Sequence, residues 1–506
     1  MPDEDVLASV ERFDRVLSAR PGLRLRICCP SQEFTRAEMA QGTGRWLSCA
    51  RGLWESLTVA EDLGVAVVMI QAPPVPDTVV RHLLALRPGT PAELADRPAR
   101  HLLLGIDDDT DVHLSEKLLA RPHLLRALRA LVDAARQRGQ RVDSLSCYQS
   151  SDRMDAIADA LGLDQVETPS TTLRWGTKAG SRQIFRAAGV PHAPGTYSPS
   201  RDLDDIAARS AELCERHGPG RWLLKVDEGF GTGHGNALYT VDTPDPAAVL
   251  DELRHRLVPM ATTIPRADFL GHVAARGAVI ERFMDARRVH APSTLSFADG
   301  RGAHLLGTHD QVMGDESNFT GAHFPADPAY RAATVAASHA IVDHLVAVGV
   351  RGHIGVDFLA LETAPGTWDV RALELNLRQT GTTHPNRTVR ALIPGDWQPD
   401  GALLHGGHPV HYESTDNLID PAWRSVTPEA LIARLTATPD LAFDPRRARG
   451  VVPHLWTALA PFGKIGATFV GASAEECAAL RVRFQETMTD LAHRFPAAAN
   501  TSASGG

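Results

Sequence analysis

Residues 373–378 read LELNLR. Leu373, Leu375 and Leu377 alternate with Glu374, Asn376 and Arg378. A period of two is that of a β-strand with an apolar face and a polar face. A solvated edge strand would show the same alternation. The polar set is unusual for that role, because Asn is depleted in strands. Glu and Asn are hard oxygen donors of the kind that Mg²⁺ takes. Arg378 adds a planar fork suited to phosphate or carboxylate. The pattern makes sense if the rest of the chain brings a metal and a phosphate to this face.

With 506 residues the chain is too long for one ordinary core, and three packed units are expected. Residues 1–170 alternate strand-like runs (23–29, 65–70, 101–106) with helical ones and predict a parallel α/β unit. Within 113–139 the period is helical, with a break at Pro122. Residues 171–390 interleave strand-like runs with glycine-rich loops. Residues 408–495 read as mostly helical, with helix starts at Thr427-Pro428 and at the capping box Ser473–Glu476. Residues 496–506 read as a disordered tail. The net charge of −9 argues against a nonspecific nucleic-acid binder. Six cysteines at scattered positions predict reduced thiols and a cytoplasmic protein. The start, MPDEDV, is unlike a signal peptide, and no apolar run has the length of a membrane span, so no membrane partner is expected. A homo-oligomer stays open.

Four further stretches carry chemistry. In RWLLKVDEGFGTGHGNALY (221–239) an apolar strand ends at Lys225, followed by Gly229, Gly231, Gly233 and Gly235. Such a loop can lay backbone N–H groups against an anion, and the lysine can reach a phosphate. It matches neither a Walker-type loop nor a dinucleotide-binding turn. In GTKAGSRQIFRAAGVPHAPG (176–195) Lys178 opens a helix that Ala188–Pro191 closes. AVIERFM (278–284) is an apolar strand carrying Glu281. GHIGVDFLAL (352–361) holds Asp357 inside an apolar run, where an acid needs a metal or a base.

In this order the motifs resemble the ATP-grasp superfamily. Together with GTHDQVMG (307–314), LELNLRQTGTTHP (373–385), HYESTDNL (411–418), LSEKLLARP (114–122) and GVVPHLWTALAPFGKIGATFVGAS (450–473), they resemble the pheganomycin-type peptide ligases over residues 20–492. The resemblance implies an ATP-grasp fold of two α+β halves, an N-terminal pre-ATP-grasp α/β domain and a family-specific C-terminal domain. It implies ligation of a carboxylate to an amine through an acyl phosphate, with ATP cleaved to ADP. The substrates would be small molecules or peptides of natural-product biosynthesis. Asp357, Glu374 and Asn376 would hold Mg²⁺, with Mn²⁺ compatible. Lys178 and Lys225 would neutralise the ATP phosphates, and Gly229, Phe230, Gly231, Thr232 and Gly233 would close over them. Glu281, Phe283 and Met284 would line the adenine pocket, and Gln311 would reach the nucleoside. Arg378 would orient the carboxylate and stabilise its oxyanion. Thr382, Thr383 and His384 would meet the acceptor carboxylate. Thr380 stands where the family has glycine, and 312–326 has fewer glycines than the family pattern. A small-molecule kinase on the same fold and a non-catalytic nucleotide-binding regulator stay open as alternatives.

Overall fold

A computed structural model describes residues 3–40, 43–228, 233–314 and 319–494. They form two compact units. The first draws its described residues from 1–167, 381–398 and 402–506, and the second from 168–380 and 399–401. The two ends of the chain, expected as separate domains, thus contribute to one unit. Among the described residues no helix is long and apolar enough to cross a membrane.

In the first unit the strands Arg24–Cys29, Val65–Gln71 and His101–Gly105 lie where the apolar runs predict them. With Ser146–Cys147 they make a parallel sheet in the order 101–105, 65–71, 24–29, 146–147. Alternate residues of these strands enter different cores. Leu25, Ile27, Val68 and Ile70 pack with Leu124, Leu128 and Leu131 of the helix Pro122–Gln137. Cys28, Val65, Val67 and Met69 pack with Leu431, Phe469, Leu480 and Phe484 from the C-terminal region. Both faces are covered, which is why these strands read as continuous apolar runs.

That C-terminal region carries the expected helices Pro428–Thr436 and Ala474–Arg494. Thr427 caps the first through the amide of Ala430 at 3.2 Å. At the second, Ser473 accepts from the Glu476 amide at 3.3 Å, while the Glu476 carboxylate takes the amide of Ala472 at 2.7 Å instead of that of Ser473. The region also contains three antiparallel strands, His408–Ile419, Gly450–His454 and Lys464–Gly471, which the sequence reading did not separate out. The last of them is flanked by both others and buried along nearly its whole length, so it shows no alternation.

The second unit has two halves with separate cores. One is an antiparallel sheet in the order 367–376, 352–364, 292–298, 303–313, 319–324, packed on the helices Lys178–Ala187 and Pro328–Ala347. The other is the antiparallel sheet 258–259, 236–241, 220–226, 278–282 with the helices Leu203–His217, Pro246–His255 and Arg266–Arg276.

Candidate functional site

The strand Thr367–Asn376 pairs with Gly352–Ala364 so that Glu374 stands opposite Asp357 and Asn376 opposite Gly355. The next pair is Ala372 with Phe358, which leaves Leu373 as the extra residue of a β-bulge. Leu375 and Leu377 are buried, whereas Leu373 is only half-buried. The strand ends at Asn376, so Arg378 is not on its polar face as the alternation predicts. It lies two residues beyond, donating to the carbonyl of Gln379 at 3.2 Å. Its charge still acts on Asp357 of the neighbouring strand.

Asp357 is half-buried. Its Oδ2 accepts from Asn376 Nδ2 at 2.9 Å and its Oδ1 from Gln311 Nε2 at 2.6 Å. Desolvation and the charge of Glu374 push its pKa up to about 7, against the opposing pull of Arg378. Gln311, expected at the nucleoside, is here a partner of Asp357. Two carboxylates thus lie side by side with the side-chain amide of Asn376, whose nitrogen faces Asp357, and Asp357 bears the strain of excess negative charge. That is the condition a divalent cation relieves, and the oxygen-rich donor set suits Mg²⁺.

Lys178 begins the helix Lys178–Ala187, as predicted, and is buried in an ion pair with Glu374. The helix start is held twice. Thr177 Oγ1 accepts from the Gly180 amide at 3.0 Å, and Asp227 Oδ1 accepts from the Ala179 amide at 2.6 Å. Burial raises the Asp227 pKa. One turn on, Arg182 is buried and donates to Ala193 and Thr196 carbonyls at 2.8 and 2.7 Å. Its Nη1 also reaches Glu281 Oε2 at 3.2 Å. Glu281 Oε1 accepts from Lys225 Nζ at 2.9 Å. Burial works against the Glu281 carboxylate, but Lys225 and Arg182 outweigh it and hold its pKa below the usual value.

Glu281, expected in the adenine pocket, therefore has both oxygens engaged by cations. Its strand ends at Arg282, so Phe283 and Met284 follow the strand instead of completing it. The Arg221 guanidinium lies over the Phe283 ring, 4.3 Å from its centroid. Gly229, Phe230, Gly231 and Thr232 lie outside the described residues, and Gly233 opens the short turn Gly233–Gly235. Thr380 packs against Gly355: a Cβ added there would stand 2.8 Å from Thr380 Cγ2. Thr382, Thr383 and His384 belong to the first unit, where all three are buried at the start of the helix Thr383–Leu392. The imidazole of His384 faces His454 and Asp416. The sequence reading missed Arg182 and Asp227. Arg182 is four residues after Lys178, hence on the same helix face, and Asp227 is two after Lys225.

Residues 430–483 match the family described as PGM1 C-terminal domain. An L-propargylglycine–L-glutamate ligase of Streptantibioticus cattleyicolor is 29% identical over 424 residues, covering 82% of this chain and 84% of that one. IQ motif-containing protein H of Danio rerio is 30% identical over 130 residues, 25% of this chain and 12% of that one. The fold is similar to that of a biotin carboxylase from Campylobacter jejuni in complex with an ATP analogue. The TM-score is 0.53 at 12% identity, over 93% of this chain and 95% of that one.

Proposed function

We propose that the chain is an ATP-grasp carboxylate–amine ligase of the pheganomycin type, an ATP-dependent, ADP-forming enzyme that makes C–N bonds, and that the Asp357–Glu374–Asn376 cluster is its metal and phosphate centre. The observation that carries this is the pairing of the Asp357 and Glu374 carboxylates across two strands, with the Asn376 amide next to them and the buried Lys178 on Glu374. Mg²⁺ held by these residues would neutralise the charge of the ATP phosphates.

The chain's own residues do the rest. Lys178 and Lys225 are each held by a carboxylate, so their charges are oriented before a phosphate arrives. An acyl phosphate hydrolyses, so the centre has to exclude water while the intermediate exists. Phe283, Met284 and the strand before them border the adenine, with Glu281 serving to hold Lys225. Gln311 orients Asp357. Arg378, on a turn and free of the strand's pleat, orients the substrate carboxylate while one of its oxygens attacks the γ-phosphorus and ADP leaves. It then stabilises the oxyanion formed as the amine adds, before phosphate departs.

The curated relative is named for joining L-propargylglycine to L-glutamate. We assign amino acids, or a short peptide as the amine, to this enzyme as well, in the making of a natural product. The six cysteines are buried and unbridged, which fits a reducing cytoplasm.

Hydroxylamine tests the chemistry. With ATP, Mg²⁺ and the acid substrate, a ligase forms a hydroxamate when hydroxylamine replaces the amine. A kinase acting on an alcohol has no activated carbonyl to trap. Release of ADP with a stable phosphate ester and no hydroxamate would replace the ligase reading with the kinase one.

A further inference from the structure

The first unit contains a second cluster, distant in chemistry from the oxygen site. His384 is on the first turn of the helix Thr383–Leu392, Asp416 on the strand His408–Ile419, and His454 at the end of Gly450–His454. His384 and Asp416 are buried and His454 nearly so. Nε2 of His454 is 2.7 Å from Asp416 Oδ1, Nε2 of His384 is 3.5 Å from the same oxygen, and the two nitrogens are 3.1 Å apart. Three ligand atoms on one face of a tetrahedral zinc ion, with bonds near 2.0–2.1 Å, stand roughly 3.3 Å from one another.

Hydrogen bonds alone serve this trio poorly. His454 can donate its Nε2 hydrogen to Asp416. If His384 also carries its hydrogen on Nε2, two N–H groups converge on one oxygen and crowd each other. If the hydrogen is on Nδ1, it is stranded, because that atom is buried with no partner. A buried polar group left unpaired costs about 1–3 kcal/mol. A cation that takes the lone pairs of both Nε2 atoms and Oδ1 removes the crowding and makes Nδ1–H the required tautomer. The carboxylate is already oriented, since Arg51 holds Asp416 Oδ2. Arg51 also neutralises it, and Lys464 lies within electrostatic reach. The site has no surplus negative charge to attract Mg²⁺ or Ca²⁺. Two imidazoles favour a borderline-soft ion instead. A cavity of about 30 Å³, lined by His384, His454, Arg51 and Trp456 among others, adjoins the trio. It has room for a water as fourth ligand.

We propose that His384 Nε2, His454 Nε2 and Asp416 Oδ1 form a transition-metal site of the zinc class, separate from the Mg²⁺ centre. The test uses the full-length protein stripped with a chelator and titrated with Zn²⁺ or Co²⁺ alone, without ATP. That keeps it independent of the ligase reading. Wild type should retain one Zn²⁺ per chain through gel filtration, and Co²⁺ should give the visible absorption of a tetrahedral site. His454→Gln and Asp416→Asn, folded by circular dichroism, should bind more than ten-fold more weakly, while Glu374→Gln should bind like wild type. Wild type that retains no Zn²⁺ overturns the proposal and leaves a hydrogen-bonded trio. So does zinc retained equally by His454→Gln or lost in Glu374→Gln. The wild-type measurement decides even if a variant fails to fold.

Discussion

Asp357 carries a conflict that can be measured. A free aspartate has a pKa of about 3.9. Desolvation and the charge of Glu374 raise that of Asp357 to about 7 in the folded protein. Between these values the folded state keeps a proton that the unfolded state releases. The resulting stabilisation is complete below the unfolded pKa and is lost as pH rises through about 7. Asp357→Asn removes the charge and keeps the shape. In metal-free protein the variant should melt above wild type at pH 8, and the gap should shrink at pH 5. Mg²⁺ should narrow the gap at pH 8 by stabilising wild type alone. The same variant should lose ADP release. Equal melting temperatures at both pH values would mean that Asp357 is ionised without cost and that no charge conflict exists.

At the scale of one element, the helix Lys178–Ala187 ties the two halves of the second unit together. Lys178 pairs with Glu374 of one sheet, Ser181 Oγ accepts from the Leu375 amide at 3.1 Å, and Arg182 pairs with Glu281 of the other sheet. Glu281 is the joint, since Lys225 and Arg182 share its carboxylate. Glu281→Gln leaves two buried cations with one neutral amide, and breaking such a pair costs about 3–5 kcal/mol. Urea unfolding should show a loss of that size, and a neutral result would mean that other groups satisfy both cations. This joint was hidden in the sequence, whereas the helix around it was plain. The start at Lys178 follows from the Thr177 cap, and the two-residue period of 373–377 follows from backbone geometry; both are local. The ion pairs Arg182–Glu281 and Lys178–Glu374 join residues far apart in the chain, and no local pattern encodes them. The bulge at Leu373 was hidden for the same reason. Two residues can oppose one only once the partner strand is in register, so the alternation ran on to Arg378 while the strand did not.

At the scale of the molecule, the two ends of the chain depend on each other. One face of the 24–29, 65–71, 101–105 sheet is covered by residues of the C-terminal region, including Leu431, Phe469 and Phe484. Burial of a large apolar side chain is worth about 1.5–3 kcal/mol, so uncovering several of them exceeds the 5–15 kcal/mol by which a domain is usually stable. Composition and period show that such a face exists but not which segment covers it, which is why the ends were read as separate domains. The second unit draws the cores of both its halves from residues 184–377. A chain cut to residues 1–407 should therefore bind a hydrophobic dye and unfold without a cooperative transition. A fragment of residues 168–380 should unfold cooperatively and, because it carries Lys178, Lys225, Asp357, Glu374 and Asn376, should bind ATP with Mg²⁺ while making no amide. If the 168–380 fragment were disordered while the 1–407 chain folded cooperatively, the division of the cores between ends and middle would be wrong, and so would the assignment of nucleotide binding to the middle unit alone.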